Sequence, residues 1–131
     1  MTEVLEYLKS CGSFYLATCE DGQPHVRPFG AVCKFEGKLY IVTNNQKKVY
    51  QQMKKNGKVE ICGMHKGTWI RVEGEVSEDP RREARVAMMD DNTAALSSMY
   101  TVDDNLMTVF RFEHGTATVY SFTEEPKVYD I

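Results

Sequence analysis

Thr68-Trp69-Ile70-Arg71-Val72-Glu73-Gly74-Glu75-Val76-Ser77 is the stretch that decides the fold class. Ile70, Val72, Gly74 and Val76 alternate with Trp69, Arg71, Glu73 and Glu75, the period of two that lays one row of side chains on a core and the other toward water. Segments of the same kind recur on either side. Upstream lie Ser13–Glu20, the long extended run His25–Phe35, Lys38–Thr43 and Lys58–Met64. Asp21-Gly22 and Glu36-Gly37 supply tight turns between the first three, which predicts an antiparallel meander. Downstream, Met107–Glu113 and Thr116–Thr123 read as two strands joined at His114-Gly115.

Helical spacing interrupts the strands in three places. Thr2 can cap a short helix carrying Val4, Leu5 and Leu8 that ends near Cys11-Gly12. Asn44-Asn45 can start a second through Lys55, with Val49, Tyr50 and Met53 on one face and Asn56-Gly57 as its stop. Asp79-Pro80 opens a third over Arg81–Met89, followed by a polar stretch to Tyr100, and the tail Glu124–Ile131 has little pattern. About seven strands with short turns and no strand-helix alternation predict a small barrel rather than a sandwich or a doubly wound sheet.

The 131 residues, 42% of them apolar, suit one domain spanning 1–131. A formal net charge of −3 provides no global field toward nucleic acid or anionic membrane, so any bound anion must be held locally. No apolar run is long enough to span a bilayer, and Met1–Ser10 lacks the build of a signal peptide, so the expectation is a cytoplasmic protein. Cys11, Cys19, Cys33 and Cys62 form no CxxC pair and read as small hydrophobes rather than a disulfide framework.

The chemistry-bearing region is His25-Val26-Arg27-Pro28-Phe29-Gly30 with Leu39-Tyr40-Ile41-Val42-Thr43-Asn44 and the following Asn45-Gln46-Lys47-Lys48. A strand that delivers Thr43 and Asn44 into a helix N-terminus bearing Lys47 and Lys48 supplies the cations and N–H donors that a phosphate monoester needs. The Glu36-Gly37 turn is expected to bring Arg27 to the same end as Thr43. The plain alternative stays open: lysines in solvent, Arg27 paired with a carboxylate, Asn44 a helix cap.

The order PHVRPFG, turn, LYIVTNNQKK, then TWIRVEGEV resembles the flavin-binding strands of the pyridoxamine 5′-phosphate oxidase-like, FMN-binding split-barrel superfamily, in particular its short nitroimidazole-resistance-type members. The resemblance implies a mainly β, antiparallel, Greek-key-like split barrel with a few short helices, forming a homodimer that holds FMN at the subunit interface. It implies that Arg27, Pro28 and Phe29 contact the flavin ring or ribityl chain, that Val42, Thr43 and Asn44 lie beside the cofactor, that Lys47 and Lys48 hold its phosphate, and that Trp69 approaches from the partner subunit. It assigns no catalytic side chain, because the flavin does the chemistry.

The implied activity is an FMN-dependent oxidoreductase, reduced by a nicotinamide nucleotide or another donor and acting on a small aromatic or nitro-containing acceptor. The alternatives are a non-catalytic flavin- or haem-binding protein and a pyridoxamine 5′-phosphate oxidase. True oxidases of that name carry an extra C-terminal segment with a Trp and an Arg, whereas this chain runs Phe122-Thr123-Glu124-Glu125-Pro126 into a short tail, so a changed substrate is expected.

Other constellations are weaker. Cys62-Gly63-Met64-His65 is half a metal site with no second half, so no metal is expected. Asp90-Asp91 and Asp103-Asp104 lie in polar stretches typical of turns and caps, and Ser97-Ser98 has no nucleophile-elbow context. The lysines from Lys47 to Lys58 have one interleaved aromatic, Tyr50, too few for a single-strand nucleic-acid platform.

Overall fold

The structure is a computed structural model that describes residues 1–131. Eight antiparallel strands form one sheet: β1 (Phe14–Glu20), β2 (Gln23–Phe29), β3 (Val32–Phe35), β4 (Lys38–Asn44), β5 (Lys58–His65), β6 (Thr68–Asp79), β7 (Met107–Tyr120) and β8 (Lys127–Asp130). Four helices accompany them: α1 (Thr2–Cys11), α2 (Lys48–Lys55), α3 (Arg82–Asp91) and the single turn α4 (Thr93–Leu96). The strands run in the order β2-β1-β5-β6-β7-β4-β3, with β8 added to the far half of β7.

The hairpin turns follow from backbone chemistry. Asp21-Gly22, Glu36-Gly37 and Lys66-Gly67 all take positive φ at both residues, the type I′ geometry whose twist matches antiparallel strands. Two of these turns were legible in the sequence. The expected meander does not form: β1 pairs β2 and β3 pairs β4, but β2 and β3 stand at opposite edges of the sheet. The expected run His25–Phe35 breaks at Gly30-Ala31, where the chain crosses from one edge to the other.

Leu16 of β1, Val32 of β3, Ile41 of β4, Ile61, Ile70 and Phe110 belong to one buried cluster. The sheet therefore curls until its two edges share a core without hydrogen bonding to each other, which is a split barrel. Val4 and Leu8 of α1 and Val49 and Met53 of α2 join the same cluster. A second cluster joins Ala84 and Met88 of α3 and Leu96 of α4 to Tyr40, Val42 and Val109. β4 is thus buried on both faces, and its continuous run Leu39–Thr43 has no alternation to show.

The expected turn at His114-Gly115 is absent, because β7 is one continuous strand. Gly115 lies opposite Gly74, and a Cβ on either would collide with the other strand's carbonyl oxygen, that of His114 or of Glu73. Two glycines face to face let the ladder pass through this close approach, beside a register shift at Glu75/Val76. The tail also departs from expectation, since Lys127–Asp130 pairs with Thr116–Val119 as β8. No helix is long and apolar enough to cross a membrane.

Candidate functional site

The helix expected from Asn44 begins four residues later. β4 runs on to Asn44, whose Oδ1 accepts the Gln46 N–H at 2.9 Å while its Nδ2 donates to the Tyr100 hydroxyl at 3.1 Å. Asn44 caps the turn into α2 rather than α2 itself. Lys47 occupies the position before the helix and provides no side-chain cap. The Lys48 and Val49 N–H groups have neither a backbone nor a side-chain acceptor.

This N-terminus is electrostatically inverted. A helix dipole favours acidic residues in its first turn, each by about 0.3–1 kcal/mol, yet α2 opens with Lys47 and Lys48 and has no acid there. Neither lysine forms an ion pair, whereas Lys54 meets Glu78 at 3.2 Å and Lys55 meets Asp21 at 3.3 Å.

Arg27 lies on the inner side of β2, opposite Leu16. Its Nη1 donates to the Leu16 carbonyl oxygen at 3.1 Å and to Thr18 Oγ1 at 2.9 Å, and its Nη2 donates to Gln52 Oε1 at 2.7 Å. No carboxylate pairs with it, and burial alone pulls its pKa below the ordinary arginine value. The alternative of an Arg27 ion pair is thereby removed. Gln52 lies four residues after Lys48, so the two share one face of α2 and Arg27 reaches that face.

A cavity of about 210 Å³ opens at the split, lined by Pro28, Phe29, Gly30, Ala31, Val42, Thr43 and Lys47. Ala95, Leu96, Met99 and Tyr100 close its other side. Of the nine residues singled out in the sequence, Pro28, Phe29, Val42, Thr43 and Lys47 therefore meet in one place. Asn44 adjoins it through Tyr100, while Arg27 and Lys48 flank it through α2. β2 meets Thr43 through Pro28 and Phe29, by closure of the barrel and not through the Glu36-Gly37 hairpin, which joins β3 to β4. Trp69 lies elsewhere, on the outer side of β6, stacked on Tyr120 at 5.6 Å between ring centroids.

The α4 wall escaped the sequence reading, although Leu96, Met99 and Tyr100 stand at the i, i+3, i+4 spacing of a helical face. Gln52 and Thr18 had no local signal. A larger concavity of about 520 Å³ crosses the outer face of the sheet over Gly74 and Gly115, but Glu60, Glu73 and Glu75 line it, against Lys58 and His114. Such a surface repels phosphate, and the cationic site at the split is the better candidate despite its smaller volume. No three His, Cys, Asp or Glu side chains converge to hold a metal ion.

The family model for pyridoxamine 5′-phosphate oxidase matches residues 1–119. The chain belongs to the pyridoxamine 5′-phosphate oxidase family. It is 50% identical to a NimC/NimA family protein from Clostridium acetobutylicum, covering 100% of this chain and 93% of that one with a TM-score of 0.94. An FMN-binding, pyridoxamine 5′-phosphate oxidase-related protein from Nostoc punctiforme shares the fold at 15% identity, covering 98% and 90% with a TM-score of 0.62. A haem-binding protein from Mycobacterium smegmatis shares it at 14% identity over 95% of this chain and 56% of that one, TM-score 0.73. A search of the curated proteins finds no match.

The donor set fits FMN in kind. A phosphate monoester is a dianion that takes cations and backbone N–H donors, and both stand without partners at the start of α2. The adjoining cavity supplies the apolar wall of Phe29, Val42 and Ala31 that a flat ring requires.

Proposed function

We propose that the protein is a cytoplasmic, homodimeric FMN-dependent oxidoreductase that takes electrons from a reduced nicotinamide nucleotide and passes them to a small aromatic or nitro-containing acceptor. The observation that carries the reading is the inverted N-terminus of α2, where Lys47, Lys48 and two free N–H groups stand without an acid, on the helix whose Gln52 holds an Arg27 that no carboxylate pairs. An anion of two charges restores the local balance. Lys47 and Lys48 would hold the phosphate, Arg27 would add its field from β2, and Val42, Thr43, Pro28 and Phe29 would line the ring.

When bound, FMN supplies hydride transfer. The protein's part is to orient the ring, to exclude water with Leu96 and Met99, and to keep positive charge near the phosphate. No side chain is assigned as acid or base. Tyr100 presents a hydroxyl whose oxygen is fixed by Asn44, leaving its proton free to donate into the cavity.

A cavity of this volume is below the roughly 300 Å³ at which small-molecule pockets begin, so a second chain is needed to cover the cofactor. The outer sheet face supports such a dimer. Strand register puts Val26, Tyr15, Met64, Trp69, Tyr120 and Val128 on this side, several of them largely exposed, and Pro28 borders both this face and the cavity. Trp69 would then reach the flavin of the partner chain.

The test is an anaerobic absorbance titration of purified protein with FMN and then with a reduced nicotinamide nucleotide, alongside sedimentation to fix the oligomeric state. Saturable binding followed by bleaching is the expected result. Bound flavin that stays oxidised would replace the reductase reading with a binding protein, and absence of flavin binding would remove the cofactor assignment altogether.

A further inference from the structure

Arg27 is held by a closed set of uncharged acceptors. A guanidinium only donates, so the Gln52 atom 2.7 Å from Arg27 Nη2 is the amide oxygen Oε1. The same oxygen accepts the Thr18 hydroxyl at 2.6 Å, and Thr18 Oγ1 in turn accepts Arg27 Nη1 at 2.9 Å. Gln52 and Thr18 are 4% and 3% exposed, so this triangle is built into the packing between β1, β2 and α2. Four of the other five arginines pair with acids: Arg71 with Glu60, Arg81 with Asp79 and Glu36, Arg82 with Asp103, Arg111 with Glu113; Arg85 donates to the Val102 and Pro80 carbonyl oxygens at 2.9 Å each.

The choice of an amide here has a chemical consequence. The guanidinium already makes a charge-assisted bond to the amide oxygen, and a glutamate at position 52 would offer an oxygen in the same place while adding a full negative charge that pairs with Arg27. A brace of α2 against the barrel needs only an acceptor oxygen, which a carboxylate supplies as an amide does. What the amide preserves is the charge.

We propose that Gln52 is a positioning residue, a neutral tether that fixes Arg27 against α2 while leaving its positive charge free to act on the cofactor phosphate one helical turn away. The inference rests on the FMN reading above and adds to it the reason that Arg27 keeps its charge. Arg27 is then a preset field source, locked in place before the ligand arrives, with little side-chain entropy left to lose on binding. Lys47 and Lys48, exposed and without partners, complete the cradle on arrival.

The experiment compares FMN with riboflavin, which has the same ring and no phosphate. Full-length wild type, Gln52→Glu, Gln52→Met and the double variant Lys47→Gln/Lys48→Gln are titrated with each flavin by fluorescence quenching, and apoprotein melting is recorded. In Gln52→Glu the FMN Kd is expected to rise about tenfold or more, because the new carboxylate cancels the Arg27 charge, while the riboflavin Kd stays within about twofold. Its melting temperature is expected to match or exceed that of the wild type. In Gln52→Met, which removes the oxygen at similar volume, the FMN Kd is expected to rise by about threefold to tenfold with riboflavin again unchanged.

A purely structural brace moves both flavins together or moves neither, and either pattern in Gln52→Glu overturns the proposal. Should that variant fail to fold, the same ratio in Gln52→Met decides. A wild type that binds FMN no more tightly than riboflavin, or a lysine double variant that keeps its FMN affinity, overturns the phosphate site and this inference with it. A wild-type FMN preference that falls in the lysine variant yet survives both Gln52 variants overturns the inference alone.

Discussion

Two cationic clusters in this molecule are built on opposite plans. At one end of the barrel, Arg81 and Arg111 surround Asp79, whose side chain is 4% exposed, with Glu36 and Glu113 completing the set. Tyr40 adds a hydroxyl donor to Asp79 at 2.7 Å. At the split, Arg27, Lys47 and Lys48 have no acid among them. The first cluster is complete within the chain and ties β4, β6 and β7 together. The second has its backbone, amide and hydroxyl contacts but no counter-charge, which is the signature of a site whose last member comes from outside.

The largest effect is expected from breaking the complete cluster. Asp79→Asn leaves Arg81 and Arg111 short of a buried partner, and denaturant unfolding should show a loss of about 2–4 kcal/mol, less than for a wholly buried pair because both arginines are partly exposed. FMN affinity of the folded protein should not change. Acid titration sharpens the same point. Arg81 beside Asp79 holds its carboxyl well below the usual carboxylate range, and Arg111 does the same for Glu113 to a smaller degree. Groups depressed on folding stabilise the protein above their unfolded pKa near 4 and lose that contribution as pH falls through the folded values. Wild-type stability should therefore decline steeply below about pH 4, and Asp79→Asn should flatten that decline.

Next comes the incomplete cluster. Lys47→Gln/Lys48→Gln should weaken FMN binding by about 2 kcal/mol, roughly thirtyfold, in a fluorescence titration. The apoprotein should move the opposite way: removing two cations from the positive end of α2 should leave its melting temperature unchanged or slightly raised. The smallest effect belongs to the far end of the same helix. Lys54→Gln/Lys55→Gln removes cations that suit the helix C-terminus and that pair with Glu78 and Asp21, so stability should drop by under about 1 kcal/mol, with FMN binding intact. If both lysine pairs affect FMN equally, the contrast between the two ends of α2 fails.

The sequence disclosed whatever depended on neighbours along the chain. β6 was legible because Ile70, Val72 and Val76 alternate with charged residues, and the hairpins at Asp21-Gly22 and Glu36-Gly37 because turn residues act locally. His114-Gly115 misled for a related reason. Its dipeptide chemistry is that of a turn, and what keeps it extended is Gly74 on the adjacent strand, a partner no local window contains. β8 has four residues at an edge and no room for a period.

The candidate site divides in the same way. Lys47 and Lys48 stand out as a pair at a helix start. Gln52 becomes meaningful only once Thr18 and Arg27 are folded onto it, and Tyr100 only once Asn44 is opposite. Nothing in the linear order hinted that β2 and β4 approach by closure of the barrel rather than through a shared hairpin.

The length of β7 bears on the order of events during synthesis. It pairs with β6 along nearly its whole course, with β4 through Met107–Arg111 and with β8 through Thr116–Val119. Thr43 of β4 thus waits for Thr108, 65 residues later, before its ladder exists. Until then a nascent chain can assemble β1, β2, β5 and β6 but leaves an edge of β4 unpaired, a template for other extended chains. Closure depends on one late strand and distant contacts, so folding should be slow relative to helical proteins of this size and should complete only once β7 is free to pair.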